Sequence, residues 1–512
     1  MRVWLALGVT FTGTTLARAA LDWAPAQPLN INAATDGEMG DYYPDLATDG
    51  QGNWVCVWCA AIPGAIDRDF DVYVSRSDDD GMTWSEPKRL DPFATEPSEI
   101  EDDFHPLIET DGAGTWIATW YTHDDHGATI GDDIDILVST STDNGETWSA
   151  SIPLNADAAY DQLPDNYAYD SYPRLAHDGN GHWVAIWQRR LVSGVESDLL
   201  IAHSTDGGAS WTLPELLHSD METDDGDDWA PHVAHDGVDQ WVLVWSSENT
   251  MAGTIGADDD ILVSRSSDGY SWSAPEVLNS TATEDGELVD KAPVLETDGA
   301  GRWVTIWYQG IYDEIDDDVV FSRSDDHGVT WTPVAYVNDN ATTDSARDRR
   351  PSVETNGMGH WVVMYYSRNT LGLPIGVDDD IHYVQSTDNA ATWTSPGVVN
   401  SFAFDVFDNV YDWNPIVGTN GRGRWITVWY SKYDLEGIGP DWDLMVTTAD
   451  VPPVAGDHDY DADTDMRDWA VFQRCFGQQP LAGVCGLSDL DGSDDVEYVD
   501  FTLLAASTSG PG

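Results

Sequence analysis

PDLATDGQGNWVCVW, residues 44–58, fixes the architecture, because the same phrase returns six more times along the chain. It reads PLIETDGAGTWIATW from Pro106, PRLAHDGNGHWVAIW from Pro173, PHVAHDGVDQWVLVW from Pro231 and PVLETDGAGRWVTIW from Pro293. The last copies are PSVETNGMGHWVVMY from Pro351 and PIVGTNGRGRWITVW from Pro415. Each opens with an alternating stretch, the period of a strand with one buried face. D-G or N-G then marks a tight hairpin, and Trp-Val-x-x-Trp is a second strand. A third apolar run starts at an Asp, as in DVYVSRS and DILVSRS. In six copies Ser-x-Asp-x-Gly-x-Thr/Ser-Trp follows, ending at Trp84, Trp148, Trp211, Trp272, Trp331 and Trp393. Its Ser and Asp side chains suit holding backbone donors, and its Gly suits a left-handed turn position. The fourth copy is one residue short (SSDGYSW), and the sixth has Ala390 for Gly. A fourth strand is expected to begin at the Trp.

Four short antiparallel strands repeated seven times predict an all-β, seven-bladed β-propeller. The seventh unit lacks the Ser-Asp-Gly phrase and stops at VTTAD. The missing strand is supplied by the start of the chain: WAPAQPLNINA from Trp23 matches WSASIPLNADA from Trp148, with Leu and Asn at the same spacing. Trp23–Asn32 is therefore expected to close the ring as the outer strand of the blade built by 413–449, removing an open edge. Twenty of the 25 Trp occupy repeat positions.

The 512 residues carry 22 Lys+Arg against 92 Asp+Glu, a net charge of −70. Phosphate binding needs Lys and Arg to displace counterions, so a nucleic-acid partner is excluded; docking to anionic membranes is disfavoured for the same reason. Disorder is excluded by 41% hydrophobic residues with 25 Trp, 20 Tyr and 11 Phe.

The Ser-Asp-Gly phrase resembles the Asp-box, or BNR repeat, of sialidase-like propellers, with Asp79, Asp143, Asp206, Asp268, Asp326 and Asp388 as its structural acids. The resemblance covers about residues 21–450. Sialidases mostly have six blades, and Asp-boxes also occur in sugar-binding, photosystem-assembly and sorting-receptor propellers. The motif lies on the face away from the family's active site, so it implies a fold and not an activity. If the chain is a hydrolase, the resemblance implies a retaining sialidase-like glycoside hydrolase with a Tyr nucleophile, acting on extracellular glycans. The alternative is a non-catalytic propeller that binds glycan or protein.

Two Asp columns obey the repeat. Asp41, Asp103, Asp170, Asp228, Asp290, Asp348 and Asp412 stand three residues before each repeat Pro. Asp71, Asp135, Asp198, Asp260, Asp318, Asp380 and Asp443 open each third strand. Strand alternation puts both columns on one rim, opposite the Asp-boxes. They suit either a calcium-loving acidic face or caps on local turns. A catalytic centre is asymmetric, so the candidates for substrate binding are residues that break the repeat on that rim: Arg174, Lys291, Arg349, Arg350, Tyr42, Tyr43, His105 and Tyr172. Sialidases hold the substrate carboxylate with three Arg; Arg349 alone matches in the column two before each Pro, where the first blade has Tyr42. No motif singles out a nucleophile or a general acid.

Residues 1–20, MRVWLALGVTFTGTTLARAA, resemble a signal peptide with an A-x-A pattern at Ala17–Ala19, implying a secreted or cell-surface protein without a membrane span. After a linker at 451–455, residues 456–512 carry two acidic loops, each followed by a helical run. Asp457, Asp459, Asp461, Asp463, Asp465 and Asp468 stand at positions 1, 3, 5, 7, 9 and 12 of the first loop. Asp489, Asp491, Ser493, Asp495, Glu497 and Asp500 do so in the second. That is the EF-hand layout for Ca²⁺, and two such loops resemble a dockerin type I module, a small α-helical unit implying attachment to a cell-surface scaffold. Ala462 and Asp494 replace the usual Gly, and Met466-Arg467 and Tyr498-Val499 depart from the Ser/Thr pairs of cohesin-binding dockerins. Cys475 and Cys485 are placed to bridge this segment; Cys56 and Cys59 fall on opposite faces of one strand, against a mutual disulfide.

Overall fold

The structure is a computed structural model. It describes residues 21–451 apart from 34–39, 62–69, 91–101, 127–128, 132, 160–167, 192–195, 220, 222–225, 284–287, 312–315, 374, 377, 401–402, 404–409 and 436–440. The signal-peptide-like segment, the calcium loops and the Cys475–Cys485 pair lie outside the described residues.

Among the described residues the strands form seven four-stranded antiparallel sheets, each a blade. Blade 1 runs Asp41–Thr48, Trp54–Ala61, Phe70–Ser77 and Lys88–Arg89. Blades 2 to 6 follow in the same order, with first strands at Asp103–Thr110, Ala168–His177, Asp228–His235, Leu288–Thr297 and Asp348–Thr355. Blade 7 contains Asp412–Thr419, Arg424–Ser431 and Asp443–Asp450. Its fourth strand is Gln27–Pro28, paired with Val446 and Met445. The ring closes as expected: Leu29 N–H donates to Leu444 O at 2.8 Å and Ala24 N–H to Thr448 O at 2.8 Å.

The repeat phrase dictates where the apolar mass goes. All twelve of the largest fully buried side chains are Trp of the second strands, among them Trp54, Trp58, Trp183 and Trp187. The core is seven layers, one per interface between neighbouring blades. Trp54 and Trp58 of blade 1 pack against Ile426, Val428 and Leu444 of blade 7. Cys56 and Cys59 are buried free thiols in the second strand of blade 1.

The Asp-box hydrogen bonds to itself. Asp79 Oδ1 accepts from Thr83 N–H and Ser77 Oγ at 2.8 Å each, and Ser77 Oγ accepts from Gly81 N–H at 2.9 Å. The turn Trp then folds back, Trp148 Nε1 donating to Gly145 O at 3.1 Å. This delays the fourth strand, which starts four residues after the Trp rather than at it and is two residues long in each of the seven blades.

The two Asp columns have a role that turn capping does not describe. Twelve of the fourteen are buried, Asp198 and Asp318 being half-buried, and an Asn two residues after the fourth strand ties the columns together across blades. Asn279 of blade 4 donates at 2.7 Å to Asp260 of its own blade and at 2.7 Å to Asp290 of blade 5. Asn155 joins Asp135 to Asp170, and Asn400 joins Asp380 to Asp412. Asn30 reaches Asp41, stitching the closing strand to blade 1. In five blades the other oxygen of the first-column Asp accepts from the indole N–H of the second Trp, as Trp58 does to Asp41 at 2.8 Å. A buried carboxylate needs such donors to offset its lost hydration.

Candidate functional site

The residue before each repeat Pro is where the blade turns toward the ring axis. Tyr43, His105, Tyr172, Ala230, Ala292, Arg350 and Asn414 all have φ between 48° and 55°. A residue before proline ordinarily prefers extended backbone. Here strand one is bulged: Tyr42 opposes Cys59 and Asp45 opposes Val57, so Tyr43 and Pro44 share one partner. The same slip occurs in the other six blades. A bulge re-aims a side chain, and these seven residues ring the mouth of an axial cavity of about 860 Å³.

The repeat fixes the ring, and the sequence decides its chemistry, which is lopsided. Tyr43, His105 and Tyr172, from three consecutive blades, form an aromatic arc. His105 lies 4.0 Å from Tyr43, 5.0 Å from Tyr172 and 5.6 Å from Tyr121, ring centre to ring centre. Burial, then Arg350 and Arg174, lowers the His105 pKa to about 3, so its imidazole is neutral at physiological pH. Burial raises the phenols of Tyr43, Tyr121 and Tyr430 above their usual range. Arg350 faces this arc from blade 6 and makes no hydrogen bond or ion pair among the described residues.

Below the mouth, alternate residues of strand one line the cavity. Arg174 is half-buried with its Nε unpartnered; its strongest carboxylate neighbour is Asp45. Burial lifts Asp45 to about 6, though its carboxylate accepts from Ile108 N–H at 2.8 Å. His232 is held neutral, its pKa lowered to about 3 by burial and then Arg174. Deeper, burial raises Glu109 to about 8 and Glu296 to about 7, and carries Glu354 well above the usual range. Protonated at neutral pH, Glu109 and Glu354 remove negative charge from the cavity. In a chain of net charge −70, Arg174 and Arg350 bring two guanidinium groups to this one cavity, with Asp45 as the carboxylate beside Arg174.

Of the residues expected to bind substrate, Tyr43, His105, Tyr172, Arg174 and Arg350 therefore line one cavity. Tyr42 packs instead between Phe70, Tyr430 and Trp442. Lys291 pairs with Asp259 at 3.4 Å beside Trp229, and Arg349 pairs with Asp317 beside Tyr308. Sequence reasoning missed Asp45, His232, Glu109, Glu296, Glu354 and Tyr121. The first five stand one or three residues after a repeat Pro, and reading those columns across the seven copies exposes them. On the opposite rim, Asp236, Asp239 and His327 each bring one ligand atom within 4.8 Å of the others; Asp236 Oδ1 is already occupied by three backbone N–H groups.

Residues 181–408 match the family model of the BNR repeat-like domain. That match covers less than half of the chain. The fold is a seven-bladed β-propeller that is similar to the BNR repeat-like domain over those residues. A sialidase of Bacteroides fragilis is 25% identical over 206 residues, 36% of each chain, so the match spans about a third of that relative. Among solved structures, a polysaccharide lyase described as an ulvan lyase is 13% identical, covering 83% of this chain and 94% of that one, with a TM-score of 0.48. A Hadza microbial sialidase is 15% identical over 77% and 76%, with a TM-score of 0.41.

Proposed function

We propose that the chain is a secreted carbohydrate-active enzyme that binds an acidic sugar at the axial mouth and cleaves its glycosidic bond there. The observation that carries the reading is the meeting of Arg174 and Arg350 with a neutral His105 inside an arc of phenols. The two guanidinium groups take the sugar carboxylate. They offset its charge, which acidifies the C–H next to it. The bound carboxylate also screens the Arg charges that depress His105, so the imidazole gains basicity as substrate arrives. His105 then accepts that proton while a phenol, from Tyr172 or Tyr43, protonates the leaving oxygen. The C–O bond breaks, a C=C bond forms, and no water is consumed.

Sialidase-like hydrolysis is the second reading, favoured by the 25% identity to a sialidase over 206 residues. It would use a mouth phenol as nucleophile and water as co-substrate. Export through residues 1–20 and a Ca²⁺-loaded tether at 456–512, holding the propeller at a surface scaffold, complete the proposal. Their support is the A-x-A pattern and the two acidic loops.

The deciding experiment incubates the protein, R350M and H105A with uronate-containing polysaccharides and with sialosides. Ultraviolet-absorbing unsaturated uronate, lost in H105A, supports elimination. Free sialic acid supports hydrolysis. Retention on an acidic glycan with neither product, lost in R350M, would show a binding module.

A further inference from the structure

The second strand of blade 6, Trp361–Ser367, breaks the repeat at one buried position: Tyr365 stands where the other blades have Trp. In five blades that indole N–H fills Oδ1 of the first-column Asp, at 2.5 to 2.9 Å. The shorter Tyr365 leaves Asp348 Oδ1 without a partner, and its own hydroxyl is unpartnered too. Asn338, the cross-blade Asn of this interface, donates to Asp348 and Asn340 rather than to Asp318. Asn338 Oδ1 and Asp318 Oδ1 are consequently orphaned as well. Tyr365, Asp348 and Asn338 are 0%, 0% and 3% exposed, and the Tyr365 hydroxyl feels Asp348, Asp344 and Asp318.

We propose that the interface between blades 5 and 6 holds a hard divalent cation of the Ca²⁺ class, bound by Asp318, Asp348, Asn338 and the Tyr365 hydroxyl. Three of these oxygens are acceptors only. A hard cation satisfies all three at once and takes the Tyr365 hydroxyl oxygen as a further ligand. Oxygen-only ligation by carboxylates and a carboxamide suits Ca²⁺, with water completing its shell. Charge points the same way, because no Lys or Arg is among the groups acting on Asp318 or Asp348.

The test uses the full chain, so that the acidic loops of 456–512 contribute equally to every sample. Protein stripped with a chelator is titrated with Ca²⁺ by calorimetry, with Tb³⁺ luminescence as a second reading. Wild type should bind one more Ca²⁺ per chain than Y365W, which restores the repeat's indole donor. D318N, which keeps the volume and removes a ligand charge, should also lose one. Ca²⁺ should raise the melting temperature of the wild-type propeller more than that of either variant. Equal Ca²⁺ stoichiometry in wild type, Y365W and D318N would overturn the proposal and leave protons or water as the occupants.

Discussion

Replacing Asn279 by Leu tests whether the cross-blade Asn is what lets two buried carboxylates coexist. Asn279 is 1% exposed and makes three hydrogen bonds. It donates to Asp260 and Asp290 at 2.7 Å each and accepts from Ile261 N–H at 3.0 Å. Leu has the same branching and the same number of heavy atoms, so the change removes polarity without opening a cavity. Bonds to charged groups are worth roughly 1.5–3 kcal/mol each, and an orphaned buried N–H costs roughly 1–3 kcal/mol. The three share one side chain and do not add fully, so the expected loss is about 3–6 kcal/mol. In a ring this size that corresponds to roughly 3–7 °C in melting temperature, read by circular dichroism. N279D keeps the shape but inserts a third carboxylate. It should be worse than N279L near neutrality and recover as pH falls and the new acid can donate. A cost below about 1 kcal/mol for N279L, or an N279D deficit that ignores pH, would refute the reasoning. N338L should cost less than N279L, because Asn338 bridges no second-column Asp.

Gly81 has φ +77° and a Cβ there would lie 2.1 Å from Ile426 Cδ1 of blade 7, whereas Gly112 at φ +65° faces open space. G112A should cost about 1–2 kcal/mol for the left-handed backbone alone, and G81A clearly more in the same urea titration. Burial raises the Glu109 pKa to about 8 from its ordinary value of 4.5. Its contribution to stability is complete below about pH 4.5 and is lost as pH rises through about 8, so E109Q should flatten the pH dependence of melting across that window. Removing residues 1–30 strips Gln27–Pro28 from blade 7 and exposes the edge of Asp443–Asp450. The truncated ring should melt lower and self-associate through that edge in light scattering; a monomer of unchanged stability would show that the closing strand is dispensable.

The ring, its blade count and its closure were legible in sequence because each rests on local chemistry. Pro, Asp-Gly, Trp-Val-x-x-Trp and the Asp-box act within a few residues of themselves, and Trp23 to Asn30 repeat the spacing of Trp148 to Asn155. The partners of the buried Asp columns were not legible. Asn155 and Asp170 are fifteen residues apart and in different blades, and their meeting depends on how blades dock. The mouth was half legible. His105, Tyr172 and Arg350 stood out because they break the repeat, but proline's ordinary preference for an extended predecessor hid the bulge that aims them. Arg349 misled for the same reason: one residue from Arg350, it lies on the other side of the bulge and pairs with Asp317.

Seven-fold repetition turns each strand position into a column with its own controls, and the two kinds of departure from a column differ physically. At the mouth, Tyr43, His105, Tyr172 and Arg350 replace the Ala and Asn of blades 4, 5 and 7 on the same bulged backbone. The side chain is free to vary there because it faces an open cavity and no packing partner dictates it. At Tyr365 the surroundings do dictate it: Asp348 and Asp318 still present the atoms that an indole and a cross-blade amide would satisfy. A change at an open position alters chemistry at little cost to the fold. A change at a closed position leaves orphaned oxygens, each costing roughly 1–3 kcal/mol or more when charged, unless something else enters to satisfy them. That asymmetry is why glycan chemistry is sought at the axial mouth and a cation at the interface between blades 5 and 6.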